Sequence, residues 1–97
     1  MELKKSIYMA DLFSVYKQLL TKKQVEICEL YYLSNLGLSE IGERLKITRQ
    51  GVLDTLNKAN TQLTEFENKL HLKDKFDKLT SLASGELKDK IIDILNS

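Results

Sequence analysis

Apolar residues recur along this chain at spacings of three and four, and no stretch alternates as a half-buried strand would, so the pattern predicts helices throughout. A first helix is expected over Ser6–Leu20, burying Ile7, Leu12, Phe13, Tyr16, Leu19 and Leu20. Thr21-Lys-Lys-Gln24 has the form of a capping box, in which the threonine oxygen accepts from the amide three residues on and Gln24 reaches back. The helix it opens should run to about Ser34, with Val25, Cys28, Tyr31 and Tyr32 facing inward. Adjacent tyrosines cannot both face inward on a regular helix, so one hydroxyl is expected at solvent or at a polar partner. Ser34–Gly37 reads as a turn with Gly37 at positive φ.

Ser39 is expected to cap a short helix, Glu40–Lys46, that buries Ile41 and Leu45. Thr48 is the next cap, and from Arg49 a long helix should reach about His71. Leu72–Ala83 and Leu87–Leu95 complete the set, with Ser84-Gly85 as the linker between them. The expected fold is all-α, five or six helices in one unit. Residues 1–71 form a helix-turn-helix domain (motif 39–63), and 72–97 form a C-terminal helical extension packed on the long helix.

The stretch from Leu38 to Ala59 follows the grammar of a helix-turn-helix, against which the competing reading is an ordinary αα-hairpin. Two helices crossing near a right angle need apolar anchors, a small residue at their closest contact and a short turn. Ile41 and Leu45 would anchor the first helix, Gly42 would sit at the contact, and Ile47 would plug the turn from below. Val52, Leu56 and Ala59 would anchor the second. Lys46 stands in the turn where glycine is frequent, and Thr55 stands where an apolar residue is common, a role Leu56 can take over. Thr48 as cap leaves Arg49 and Gln50 at the leading end.

That geometry assigns candidate nucleic-acid contacts. The leading end of the second helix meets base edges in a major groove, while flanking side chains meet phosphates. Arg49 has the fork that suits guanine, and Gln50 suits adenine. Lys58, two turns later, lies nearer the backbone, and Arg44, Lys46, Lys22 and Lys23 are candidates for flanking phosphates.

Charge limits the strength of this reading. The chain has 15 basic and 14 acidic side chains, a net +1. Residues 1–20 carry +1, while 21–47, 48–71 and 72–97 are each neutral, so no segment is a basic arm. Asp54 on the same helix would repel phosphate. Binding to duplex DNA is therefore expected to be weak from a monomer, and a homodimer would compensate through effective concentration.

Length and composition narrow the remaining classes. Ninety-seven residues allow one modest core and no large cavity. With 42% hydrophobic and 30% charged residues the mix is that of a folded domain. One cysteine and one histidine exclude an internal disulfide and a Cys/His zinc site, so no metal and no cofactor is expected. No phosphate loop or activated nucleophile can be assembled, which argues against an enzyme and leaves no catalytic residue to name. Neither a signal core nor an apolar run of membrane-spanning length is present, and a soluble, cytoplasmic, non-membrane protein is the expectation.

Val52, Leu56, Ala59, Leu63, Phe66 and Leu70 follow a 4-3-4-3-4 spacing. Either all of them serve the chain's own core and its C-terminal helices, or Leu63, Phe66 and Leu70 form a dimer seam. Phe76, Leu79, Leu82, Leu87, Ile91, Ile92 and Leu95 must likewise cover the long helix or meet a partner. Cys28 reads as a buried small hydrophobe, His71 as a favourable group at a helix C-terminus, and Glu40 and Glu43 as solvated carboxylates.

Several separated motifs fall in an order that carries a resemblance. Leu-Leu-Thr-Lys-Lys-Gln (19–24), Glu-Leu-Tyr-Tyr (29–32), Leu-Ser-Glu-Ile-Gly-Glu (38–43), Thr-Arg-Gln-Gly-Val (48–52) and Lys-Leu-His-Leu (69–72) look like the YlxM family of small bacterial proteins. The likeness spans about residues 8–76 and leaves the last twenty outside. Gly51 departs from the family's usual alanine, and Asn57-Lys58 from a typical basic pair. The resemblance implies a helix-turn-helix similar to region four of bacterial sigma factors, which grips promoter DNA. It also implies a link to the signal recognition particle pathway. Two functions are thus expected: a nucleic-acid-binding regulator or, alternatively, an interaction module for protein or RNA of that particle.

Overall fold

The computed structural model describes residues 6–82 and 85–96. Among the described residues six α-helices follow in order: α1 (Ile7–Tyr16), α2 (Lys22–Cys28), α3 (Leu38–Leu45), α4 (Arg49–Leu70), α5 (Leu72–Leu82) and α6 (Gly85–Asn96). A 3-10 turn at Lys17–Leu19 ends the first helix, and a π-helical turn at Glu29–Leu33 prolongs the second.

The helices begin where side chains can replace missing backbone partners. Ser6 Oγ accepts from the Met9 amide, Thr21 Oγ1 from Gln24, and Thr48 Oγ1 from Gly51. The capping box at Thr21–Gln24 is complete, with Gln24 Oε1 accepting from the Thr21 amide at 3.0 Å. At α3 the expected cap moves: the N-cap is Gly37, not Ser39, and Glu40 Oε1 accepts from the Gly37 amide at 3.1 Å. Gly37 keeps a negative φ of −78°, and it is Asn35, at φ 56°, that takes the left-handed conformation in the preceding turn. A Gly37 cap starts α3 two residues earlier than expected and buries Leu38.

α4 is the spine. It packs on α1, α2 and α3, and one core gathers Leu12, Phe13 and Tyr16, Ile27, Cys28 and Tyr31, Leu38 and Ile41, and Val52, Leu53, Leu56, Ala59 and Leu63. Two residues expected in this core lie outside it. Ile7 is 85% exposed because Met9, at the three–four spacing from Leu12 and Phe13, occupies the inward stripe. Leu19 is 56% exposed because the 3-10 turn after Tyr16 rotates it out. The stripe of α2 also includes Ile27, fully buried.

The π turn resolves the tyrosine conflict. Its wider turn lets Tyr31 bury to 3% exposure while Tyr32 remains half-buried, their rings edge-to-face at 5.0 Å. The Tyr32 hydroxyl donates to Asn60 Oδ1 on α4 at 3.0 Å. Burial pushes Tyr32 up to about 12. Cys28 has no exposure, and burial raises its thiol to about 12.

α5 folds back on α1 and on α6. Phe76 and Ile92 are half-buried, Leu79 and Leu95 half-exposed, and with Val15 and Leu72 they line a cleft of about 520 Å³. The side chains of Leu82, Leu87 and Ile91, and Ser84 of the expected linker, lie outside the described residues.

Candidate nucleic-acid interface

α3 and α4 meet at a tight corner. Lys46 leaves α3 in the left-handed conformation, φ 59° and ψ 42°, the place where a glycine is easiest to accommodate. The amides of Lys46 and Ile47 both return to the Gly42 carbonyl. A Cβ on Gly42 would stand 2.7 Å from the Ile47 carbonyl oxygen, so the small residue is a steric requirement of the crossing. Ile47 packs half-buried against the core beneath the turn. Leu56 is fully buried, while Thr55 turns its hydroxyl to the Gly51 carbonyl at 3.0 Å, so Leu56 serves where Thr55 cannot. These are the parts of a helix-turn-helix, assembled as the spacing requires.

Arg49 and Gln50 are both exposed at the leading end of α4. They do not share a face. At about 100° per residue, the buried positions Val52, Leu56, Ala59 and Leu63 fix the inward direction, and Asp54 lies roughly opposite them. Gln50 and Lys58 each flank Asp54 by about 40°, whereas Arg49 lies about 140° from it, on the shoulder of the helix. Gln50 Nε2 donates to Asp54 Oδ1 at 2.9 Å. The crown of the candidate reading helix is therefore Gln50, Asp54 and Lys58, not an arginine–glutamine tip alone.

The flanking cations divide. Gln24 Nε2 donates to Gln62 Oε1 on α4 at 2.9 Å and so ties the start of α2 to the long helix. Lys22 and Lys23 share a surface hollow with one carboxylate, Glu26, and with Leu45 and Ile47 at the α3–α4 turn. Lys46 and Lys58 are exposed, like that lysine pair. Arg44 sits apart, in a hollow with Glu40 and Glu43 that offers a phosphate two carboxylates as well.

The residues set out as a dimer seam are placed differently. Leu63 has no exposure, and Phe66 packs its ring on Tyr16 at 5.8 Å, so both are used inside the chain. Of the three, Leu70 alone is exposed, at 43%. The 4-3-4 spacing here describes an internal seam with α1.

One site escaped the sequence reading. Glu67 is a buried carboxylate at 8% exposure, four residues after Leu63 on the inward stripe. Its Oε1 accepts from the Tyr16 hydroxyl at 2.6 Å and from the Lys73 amide at 3.0 Å, and its Oε2 from the Asp74 amide at 3.2 Å. The Tyr16 oxygen in turn accepts from the Leu72 amide at 3.0 Å. Three orphan amides at the start of α5 are thereby capped from α1 and α4. Burial first, then the bond to Glu67, raises Tyr16 to about 12. A carboxylate on an apolar stripe was the available signal; its tyrosine partner, 51 residues away, left none.

Among the described residues no cluster of histidine, cysteine and carboxylate side chains could hold a metal ion, and no helix is long and apolar enough to cross a membrane. The family described as "Putative helix-turn-helix protein, YlxM / p13 like" matches residues 3–95, so its pattern takes in the C-terminal helices that the motif resemblance left outside. The "UPF0122 protein YlxM" of Bacillus subtilis is 38% identical over 102 aligned positions, covering 98% of this chain and 93% of that one. The "Probable UPF0122 protein" of Mycoplasma mycoides is 44% identical over 80, covering 82% of this chain and 71% of its own length. With the corner at Gly42 in place and the match running nearly end to end, this chain belongs to the YlxM / p13-like family of helix-turn-helix proteins.

Proposed function

We propose that this protein is a DNA-binding regulator that lays the first turns of α4 into a major groove. The observation that carries the reading is the α3–α4 corner. It is closed by Gly42 and capped by Thr48, and it leaves Arg49, Gln50, Asp54 and Lys58 exposed on a rigid helix. Arg49 on the shoulder reads guanine, and Lys58, Lys22 and Lys23 neutralise phosphates. Three such contacts give a salt slope of about −3 in log affinity against log salt, which makes binding weak in physiological salt. A homodimer would strengthen it. The protein acts without a cofactor in the cytoplasm.

Fluorescence anisotropy with duplexes selected from a random pool tests the reading. Binding should fall steeply with salt, and Arg49→Ala should cost about 1–3 kcal/mol at the preferred site. Equal binding by that variant removes base reading from Arg49. The near-zero net charge favours one second reading, an interaction module for signal recognition particle protein or RNA. Retention of particle components with no duplex bound would support that reading instead.

A further inference from the structure

Asp54 is an odd residue to find at the crown of a helix that approaches phosphates, since a carboxylate there opposes the general attraction on which such binding rests. Its surroundings give it a defined role. A carboxylate can only accept, so the Gln50 amide group that meets it must be the nitrogen, which leaves the Gln50 carbonyl oxygen as an acceptor too. The pair thus presents acceptor oxygens one helical turn apart and holds the Asp54 carboxylate in a fixed direction.

The major groove offers few partners to such a surface. Guanine shows two acceptors there, thymine an acceptor and a methyl group, and adenine an amino donor beside the N7 acceptor. Cytosine shows its N4 amino group with no acceptor of its own beside it. We propose that Asp54, held by Gln50, is a specificity residue that accepts a hydrogen bond from a cytosine N4 amino group in the major groove. The assignment rests on the DNA-binding reading above. The unfavourable charge then works as a filter: it weakens binding to every duplex and is offset only where a cytosine amino group faces it.

The test uses the full chain with its best selected duplex and with single-position replacements of that duplex. The wild-type protein should bind the cytosine-bearing duplex about tenfold more tightly than the one with thymine at that position. Asp54→Ala, at an exposed helix position, should strengthen binding to mismatched duplexes severalfold and bring the two affinities together. Gln50→Ala should narrow the preference without abolishing it, and full discrimination by that variant overturns the holding role. If Asp54→Ala strengthens all duplexes by one factor and keeps the cytosine preference, the carboxylate only repels and the assignment fails. Absence of any wild-type duplex binding takes down the DNA-binding reading as well, a distinct result.

Discussion

α4 ends in two corners built on the same backbone device and locked by opposite means. At each, a residue other than glycine takes the left-handed conformation, Lys46 before the helix at φ 59° and His71 after it at φ 52°. The α3–α4 corner is locked by space: Gly42 lets two backbones approach, and nothing larger fits. The α4–α5 corner is locked by polarity, through a buried carboxylate and a tyrosine hydroxyl that cap three amides. Steric locks are rigid and insensitive to solvent, while a polar lock holds only as long as every partner is present and correctly protonated. The contrast places stiffness at the leading end of α4 and leaves the start of α5 on a conditional attachment.

The heaviest blow to this contrast should come from Gly42→Ala. Its methyl meets a backbone oxygen that cannot swing away, and a loss of about 3 kcal/mol is expected by denaturant titration. A loss below about 1 kcal/mol would mean the corner is not sterically locked. Glu67→Ala should cost about 2 kcal/mol, because buried donors lose their acceptor. Hydrogen exchange should rise first at the amides of Leu72, Lys73 and Asp74, with the α3–α4 corner still protected. Uniform loss of protection would show that the two corners open together.

A third effect appears only in alkali. Tyr16 and Tyr32 are raised from 10.0 to about 12, so the stabilisation from their neutral forms is complete below pH 10 and is lost as pH climbs toward 12. Cys28, raised from 9.0 to about 12, adds to the same loss from a lower starting point, so thermal melts should be flat from pH 7 to about 8 and then fall, with a shallower fall in Tyr16→Phe. Smallest of all, Lys46→Gly and His71→Gly should each gain about 0.5 kcal/mol, relief of the left-handed backbone being offset by glycine's greater freedom when unfolded. Unequal gains would show that only one of the two corners carries strain.

What could be read from the amino acids follows the reach of the interactions. Thr21 and Thr48 were legible as caps because their partners lie three residues away. Gly42 was legible because a small residue between Ile41 and Leu45 has few other uses in a crossing pair of helices. The Gly37 cap was missed because Gly37 and Asn35 both tolerate the left-handed region and Ser39 is itself a good cap, so local rules could not rank them. The seam through Leu63 and Phe66 was ambiguous for another reason: the spacing of a helix packed on its own chain is that of a helix packed on a partner's. Asp54 was visible only as a repulsive charge until Gln50 was seen holding it. Its central position needed the burial of Val52, Leu56, Ala59 and Leu63 as a compass.

The widened turn at Glu29–Leu33 works as a splice. By accommodating one surplus residue, it aims two consecutive aromatic rings inward and lands one phenol on Asn60, within the middle third of the spine. Excising Glu29 or Leu30 would restore ordinary winding, swing the later ring by about 100° and cut that tether. Where that phenol meets the spine is thus set by a length, counted in residues, as well as by the ring that spans it.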